Sequence, residues 1–575
     1  MKKNIIIGIA LLLVIGGGLW YYLTRPTLED TIAFPYISHQ KPAVDPHLPS
    51  SNAIADKLDE VLFDGLFNLT ATSSGVVFEN GLGEFVSIDD NIVTIRLKTG
   101  HYWHDGYRTF VDGSKVRVEK TGVHEFSSRD LAFTLKRIQS LGSLSPDYIL
   151  VGQALPVMDF QGPNERNEIK LKFRPDRIWI ESDIKEVLSF KILPDNAEMN
   201  ALSYNVGTTT YMSVPDYENI IRFLRTPEGD AKIGKMNLMP YVDNSTFSTE
   251  LRNGNINAIL ETPFGSISPI LQEPGKFFVK SNVSSTYFAI LFNAERLPRE
   301  KRIELRRLLN NKKILDRFFK AGTGQQRHIV DFKGNRDKYD EYLNDVVFPT
   351  SSYYIQEKIV DRLRDSTEAN PVALADTIRI KACLNFGYRE EYSELIDILN
   401  DRAVTKGRVR ATAVQNDEIR KGNYDALLIA VSGYRSNFLF DMYDLFLREP
   451  NLERYRINLL TAADAKGEPV VNPASLQADR NFFRLDAISN SAERDDINRL
   501  LEDIYGFMST RQVGDKQAYA RRIAEREHQM ALGAWLFSLP SLTYFSSQFD
   551  STSIDLYGVA SQLSTLKKWK ELPKK

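Results

Sequence analysis

The sequence predicts a mixed α/β protein built from more than one domain, and three observations carry that reading. The chain has 575 residues, more than a single core organises. Ile92, Thr94, Arg96 and Lys98 alternate with Val93, Ile95 and Leu97, the period of a strand with one face buried. Soon after, Leu131, Phe133, Leu135 and Ile138 recur at helical spacing behind Ser127 and Ser128, either of which can cap a helix. Hydrophobic residues make up 42% of the chain, enough to fill cores and to exclude a disordered class.

The N-terminus has its own character. Lys2 and Lys3 precede an apolar run at residues 5–23 that carries no charge. A helix of that length spans about 28 Å, close to a bilayer core. The lysines should stay cytoplasmic and the body should be translocated. Trp20, Tyr21 and Tyr22 suit the far interface. The run is expected to be an uncleaved anchor; cleavage after the small residues Gly16-Gly-Gly18 is the alternative. No cysteine lies directly behind it, so a lipoprotein anchor is not expected. Without Lys2, Lys3 and Arg25 the net charge goes from −2 to −5, so nucleic acid is not an expected partner. Cys383 is the single cysteine and is expected to be a buried strand residue.

Along the body, Thr31-Ile-Ala-Phe-Pro-Tyr-Ile reads as a short strand. The loop Val44-Asp-Pro-His follows, then a helix over about 51–63 with Ile54, Leu58, Val61 and Leu62 on one face. Asp105-Gly106 favours a hairpin turn. Ser285-Thr-Tyr-Phe-Ala-Ile-Leu-Phe-Asn is a strand, and residues 299–319 read as one helix. Lys421-Gly-Asn-Tyr-Asp-Ala-Leu-Leu-Ile-Ala is a further strand.

Several blocks, weak singly, keep one order. They are Asp45-Pro46, Leu62-Phe-Asp-Gly-Leu-Phe, Asn91 to Gly106 with the helix behind it, and Leu188-Ser-Phe-Lys-Ile-Leu-Pro. Next come Gly207-Thr-Thr-Thr-Tyr, Leu251-Arg-Asn-Gly-Asn-Ile-Asn and Gly422-Asn-Tyr-Asp. Together they resemble the peptide/nickel-type extracellular solute-binding proteins of ABC transporters, over about residues 28–570. Asn257 stands where that family usually has an acid. The resemblance implies an α/β, two-lobed periplasmic-binding-protein-like clamshell, with an extra subdomain in the first lobe and the N-terminal apolar helix in front.

The expected divisions are 1–26 for the anchor or signal peptide and 27–280 for the first lobe, its inserted subdomain at about 70–190. The second lobe is expected at 281–520, and 521–575 returns to the first lobe and ends in a basic tail. The chain is expected to cross between lobes near 275–285 and 515–530. The implied function is capture of a peptide or peptide-like ligand and delivery to an ABC transporter permease, by a monomer on the extracytoplasmic or periplasmic face. The alternative is a membrane-anchored sensor or envelope scaffold on the same fold.

Residue-by-residue carry-over places Tyr36, Ser38 and His39 beside the ligand from the first lobe, and Ser432, Gly433, Tyr434 and Arg435 from the second. Peptide-binding members usually hold an aspartate nine residues after the Tyr-Asp pair, where it neutralises the ligand's α-amino group. Counting from Asp425 reaches Tyr434. A phenol donates a hydrogen bond but does not balance an ammonium at neutral pH, and Arg435 adds positive charge. A free α-amino group is therefore not expected to be read in the usual way.

Other chemistry is poorly supported. Gly229-Asp-Ala-Lys-Ile-Gly-Lys235 lacks the Ser or Thr that a phosphate loop needs next, having Met236, and reads as a solvated turn. His101 and His104 sit three apart, so on a strand their imidazoles diverge, and no metal or other cofactor is expected. There is no Gly-x-Ser-x-Gly elbow and no His-Glu-x-x-His, so the chain is read as a binder and not an enzyme.

Overall fold

The computed structural model describes residues 30–48, 54–72, 75–112, 115–175, 179–260, 275–320, 342–348, 377–383, 389–414, 419, 422–431, 461–463, 469–471, 482–509, 513–554, 556 and 563–573. The apolar run at 5–23 lies outside them. Among the described residues no helix is long and apolar enough to cross a membrane.

The chain opens with β1 (Thr31–Ile37) and helix α1 (Ala55–Leu62). A hairpin follows, β2 (Phe67–Thr72) and β3 (Gly75–Asn80), then β4 (Gly83–Asp89) and β5 (Ile92–Leu97). On β5, Val93, Ile95 and Leu97 are buried as the alternation requires. Its outer face carries Arg96, which bridges Glu84 on β4 at 3.1 Å and Glu168 on β8 (Glu168–Lys172) at 2.9 Å. Between β5 and β8 lie the ribbon β6 (Tyr107–Asp112) and β7 (Lys115–Lys120), then α2 (Ser128–Leu141) and α3 (Pro146–Ala154). Ser127 caps α2 in a reciprocal capping box with Asp130. Helix α4 (Glu181–Val187) follows β8.

Arg137 of α2 pins the Asp-Pro loop. It donates to Asp45 at 2.7 Å and to His47 Nδ1 at 2.6 Å, and its Nε reaches the Tyr204 hydroxyl at 2.9 Å. The cation is 1% exposed and is tolerated because its donors are met.

Asp105-Gly106 does not form the expected hairpin. It lies in a 3-10 turn, His104–Gly106, and the strands flanking it are not partners: β5 pairs with β4 and β8, β6 with β7. Tertiary contacts to His104 hold the turn. Its Nδ1 accepts from the Gly207 N–H at 3.1 Å, and its Nε2 lies 2.9 Å from the Thr209 carbonyl, to which it donates in that tautomer. Gly207 itself has no room for a side chain, since a Cβ there would stand 1.6 Å from the Leu62 carbonyl oxygen.

Strands β9 (Tyr211–Tyr217), β10 (Ile220–Arg225) and β11 (Lys235–Tyr241) join β1 in a four-stranded sheet, ordered β1-β11-β10-β9, with β1 and β11 parallel. The Gly229 to Lys235 segment is the connection from β10 to β11. After α5 (Phe247–Asn253) comes β12 (Ala258–Ile259), then β13 (Phe277–Phe292). The helix expected over 299–319 is two, α6 (Arg299–Leu308) and α7 (Asn311–Lys320). Asn310 breaks it by accepting from the Lys313 N–H at 2.8 Å, which caps the second piece.

The second lobe is built on β14 (Ile378–Cys383), α8 (Arg389–Asn400), α9 (Arg402–Thr405), β15 (Val409–Val414) and β16 (Ala426–Val431), with the three strands mutually parallel. A short ribbon, β17 (Thr461–Ala463) and β18 (Pro469–Val471), precedes α10 (Ser491–Ser509) and α11 (Val513–Met530). The stretch expected to hold the second crossing, 515–530, is therefore helical, and the strand comes after it as β19 (Gly533–Ser546).

β13 and β19 are antiparallel and run through both lobes. Residues Tyr287 to Leu291 pair with Ser538 to Gly533, and Phe277 to Val283 pair with Ser546 to Pro540, with the register broken between Val283 and Tyr287. The sheet order is β12-β19-β13-β16-β14-β15. First-lobe β12 holds one end of β19, while second-lobe β16 holds the matching end of β13.

Asn257 joins β1 to this arrangement. Its side chain accepts from the Ala33 N–H and donates to the Thr31 carbonyl, each at 2.7 Å, and it is 2% exposed. An acid at this position accepts but, when ionised, does not donate. Asn257→Asp should leave the Thr31 carbonyl without its donor beside a buried charge. A loss of about 3 kcal/mol is expected in denaturant melts, and an unchanged midpoint would refute the assignment.

Burial lowers the His104 pKa from 6.5 to about 4. Above 6.5 folded and unfolded chains are both neutral there, so stability is complete. As the pH falls through 6.5 toward 4, the unfolded chain takes up a proton that the folded chain refuses, costing about 3 kcal/mol. Thermal melts between pH 7.5 and 4.5 should fall more steeply for the wild type than for His104→Gln; parallel curves would count against it.

A candidate cleft where the two lobes meet

Ligands of open α/β sheets sit outside the carboxyl ends of parallel strands. In the second lobe β16 ends at Val431, which lies opposite Tyr287 at the edge of the register break. In the first lobe β1 and β11 end at Ile37 and Tyr241. Met239 and Tyr241 pack on a buried cluster that contains Ile259 and Tyr544 and extends to Phe288, Ile380 and Leu428. The strand ends of both lobes thus converge on the crossing.

On the first-lobe side, Tyr36 closes β1. It is 5% exposed, and its hydroxyl donates to the Asn219 carbonyl at 2.7 Å. Glu218 and Asn219 both have positive φ, the geometry of a tight two-residue turn between β9 and β10. Burial raises the phenol pKa, so it remains a donor. Ser38 and His39 are exposed on the 3-10 turn that follows, Ser38–Gln40. Close by, Lys41 pairs with Asp216 at 2.5 Å. The structure thus brings these three residues together at one strand end, with Tyr36 turned inward. Ser432, Gly433, Tyr434 and Arg435 lie outside the described residues, directly after Val431.

The Tyr-Asp pair of the Gly-x-Tyr-Asp block does structural work. The Tyr424 hydroxyl donates to the Phe482 carbonyl at 2.9 Å. Asp425 accepts from the Arg379 N–H at 2.8 Å, from its Nε at 3.1 Å and from its Nη2 at 2.9 Å. Burial works to raise this carboxyl's pKa, but the Arg379 hydrogen bonds outweigh it and the net shift is downward. The strand therefore starts from a fixed point and delivers its far end to the crossing. Nothing in the local sequence of Asp425 signals this, because Arg379 is distant in the chain. Asp425→Asn should lower stability by about 2 kcal/mol through loss of the charged hydrogen bonds; an unchanged melting curve would refute this role.

Tyr287 stands where β13 re-enters the second lobe. Its hydroxyl donates to the Val347 carbonyl at 2.6 Å, and its ring packs edge-on against Trp535 with centroids 6.2 Å apart. The Trp535 indole donates to buried Glu527 at 2.6 Å.

Two other features carry groups suited to ligand chemistry. His124, Asp130 and Asp195 offer atoms within 4.8 Å of one another. The Asp130 carboxylate, however, accepts from the Ser127 N–H at 2.7 Å and the Asp195 N–H at 2.8 Å, while His124 Nδ1 lies 2.9 Å from Asp105. These contacts account for the group as a cap and loop anchor. A cavity of about 390 Å³ is lined by Asp64, His101, Tyr102, Thr208, Glu228 and Asp230. It lies at the β10–β11 connection, the end of the sheet opposite Ile37 and Tyr241, and so away from the strand ends at the crossing.

Solved structures share this architecture along nearly the whole chain. NikZ from Campylobacter jejuni, in complex with Ni(L-His), matches with a TM-score of 0.60 at 15% identity, covering 94% of this chain and 99% of that one. The ABC transporter substrate binding protein CtaP from Listeria monocytogenes matches at 0.62 and 14%, covering 94% and 99%. The oligopeptide-binding protein AppA from Bacillus subtilis, in complex with a nonapeptide, matches at 0.57 and 12%, covering 94% and 99%. The chain has the fold of the peptide- and nickel-type substrate-binding proteins. No protein-family model and no curated protein sequence matches it. At these identities the likeness shows the fold, which agrees with the resemblance read from the ordered sequence blocks.

Proposed function

We propose that the chain is an extracytoplasmic solute-binding protein that captures a peptide or peptide-like ligand between two lobes and passes it to the permease of an ABC importer. The observation that supports this most is the crossing. β13 and β19 join two α/β bodies by paired strands, and the parallel strands of both end there. Such a joint lets the bodies open and close around a guest. Ligand contacts made only in the closed form shift the population toward closure. Two of the similar structures hold a nonapeptide and a nickel–histidine complex, both rich in main-chain or amino-acid polar groups.

The proposed lobes are 27–280, with the inserted subdomain at about 70–190, then 281–520, with 521–575 returning to the first lobe. The proposed ligand contacts are Tyr36, Ser38 and His39 on one side and Ser432, Gly433, Tyr434 and Arg435 on the other. The apolar run at 5–23 is proposed to hold the protein, as a monomer, on the outer face of the inner membrane. The guest is held by non-covalent contacts, without catalysis.

Two measurements test this. Mass spectrometry of protein purified from cells grown in peptide-rich medium should show a bound species of peptide or amino-acid-complex mass. A protein that is empty and binds nothing from a peptide library would refute the function. Calorimetry with free and N-acetylated versions of the same peptides should give affinities within about threefold of each other, because Tyr434 supplies no charge to balance an ammonium. A preference of about a hundredfold for the free amine would overturn that part of the reading.

A further inference from the structure

The paired strands are not the whole connection between the lobes. Asp183, on α4 of the inserted subdomain, lies 2.7 Å from Lys516 near the start of α11. Their side chains are 5% and 3% exposed. The lysine ammonium also lies over the Phe507 ring of α10, 5.5 Å from its centroid. Beside the ion pair, Leu150 of α3 enters the buried cluster formed by Tyr287, Phe348, Val431 and Phe507. Tyr148 packs against both that cluster and the core of the subdomain. A polar and an apolar contact therefore bridge the same two bodies, and the apolar one joins a cluster that also contains Val431, the residue just before the proposed ligand segment.

We propose that Asp183 and Lys516 form a latch that holds the inserted subdomain against the second lobe and sets how far the clamshell is closed before ligand arrives. This rests on the reading of the chain as a two-lobed binding protein. The physical reason is the asymmetry of buried ion pairs. The intact pair offsets its own desolvation, but either charge left alone in the closed form is strongly disfavoured. Opening hydrates both. Removing one partner therefore penalises the closed form and leaves the open form nearly untouched. The latch contributes to affinity without touching ligand, because a binding-competent state that is rarely populated weakens apparent binding in proportion.

Glu186, one turn along α4 from Asp183, gives the latch a pH dependence. Burial pushes its pKa up to about 7; Lys516 pulls it down and Asp183 pushes it up. Those two are the charges that act on it. The adjacent cation, Lys185, is held by Glu181 at 2.6 Å and lies over the Phe67 ring. Closed, Glu186 holds its proton more tightly than when hydrated in the open form. Acidification through about 7 therefore favours closure, and the gain is complete below the ordinary carboxylate range.

The test is the distance between spin labels on the two lobes of the ligand-free, full-length protein, measured by pulsed electron resonance. Lys516→Met should lower the closed-to-open ratio by about tenfold or more. The exchanged pair, Asp183→Lys with Lys516→Asp, should recover most of the closed population. Between pH 8 and 6 the closed fraction should rise in the wild type and stay flat in Glu186→Gln. A Lys516→Met protein with wild-type distances would overturn the proposal. So would one that merely melts earlier, with its lobes as close as before and no recovery in the exchanged pair. Because no ligand enters the measurement, unchanged distances would overturn the latch and leave the peptide-binding reading standing, and a protein that binds no peptide would leave the distances informative.

Discussion

The pairing of β13 with β19 is the constraint on which the rest of this structure depends. Each strand is long enough, at 16 and 14 residues, to carry one sheet from the first lobe into the second. Each is held at one end by a first-lobe partner or at the other by a second-lobe partner. Both faces of β13 are buried here, so a shift of one residue would exchange Phe288 and Ile290 with Ala289 and Leu291 between two differently packed cores. The register therefore fixes how the lobes face each other, and it places the carboxyl ends of β1, β11 and β16 at the same junction. The break between Val283 and Tyr287 is where that rigid ladder relaxes.

Around this pair the side chains act as local fasteners. Asn257 ties the first strand to the crossing sheet with one donor and one acceptor, a demand that an amide meets and an ionised acid does not. Asp425 starts the strand that leads to the cleft, and Arg137 secures the Asp-Pro loop. Each of these is a charged or amide group with its hydrogen-bonding capacity directed at backbone or at an opposite charge. That is the condition under which buried polarity is stable, and it gives each segment a single preferred position.

Much of this was legible in the sequence. Alternation identified β5, Thr31-Ile-Ala-Phe-Pro-Tyr-Ile read as the strand that is β1, the serine pair marked the start of α2, and the ordered blocks led to the overall architecture. What the sequence concealed was set by distant partners. The Asp105-Gly106 signal is strong for a hairpin in isolation, yet His104 is committed to Gly207 and Thr209, and the chain bends to suit it. Residues 515–530 read as the neighbourhood of the return crossing, while their apolar and charged positions build a helix whose Lys516 finds Asp183 across the molecule. Asn310 was overlooked as a helix break because an asparagine inside a periodic stretch resembles any other polar surface residue. At the cleft, the sequence brought Tyr36, Ser38 and His39 together, but the inward turn of the Tyr36 phenol depends on a carbonyl from another hairpin.

The shared strands also bear on how such a molecule is inherited and cut. Neither lobe owns its central sheet outright. If translation stopped before Gly533, the first-lobe half of β13 would be left with a bare edge, and an uncovered edge of that length invites pairing with a neighbouring chain. β19 is thus the strand that completes the middle of the sheet, and neither half has its full set of backbone partners without it.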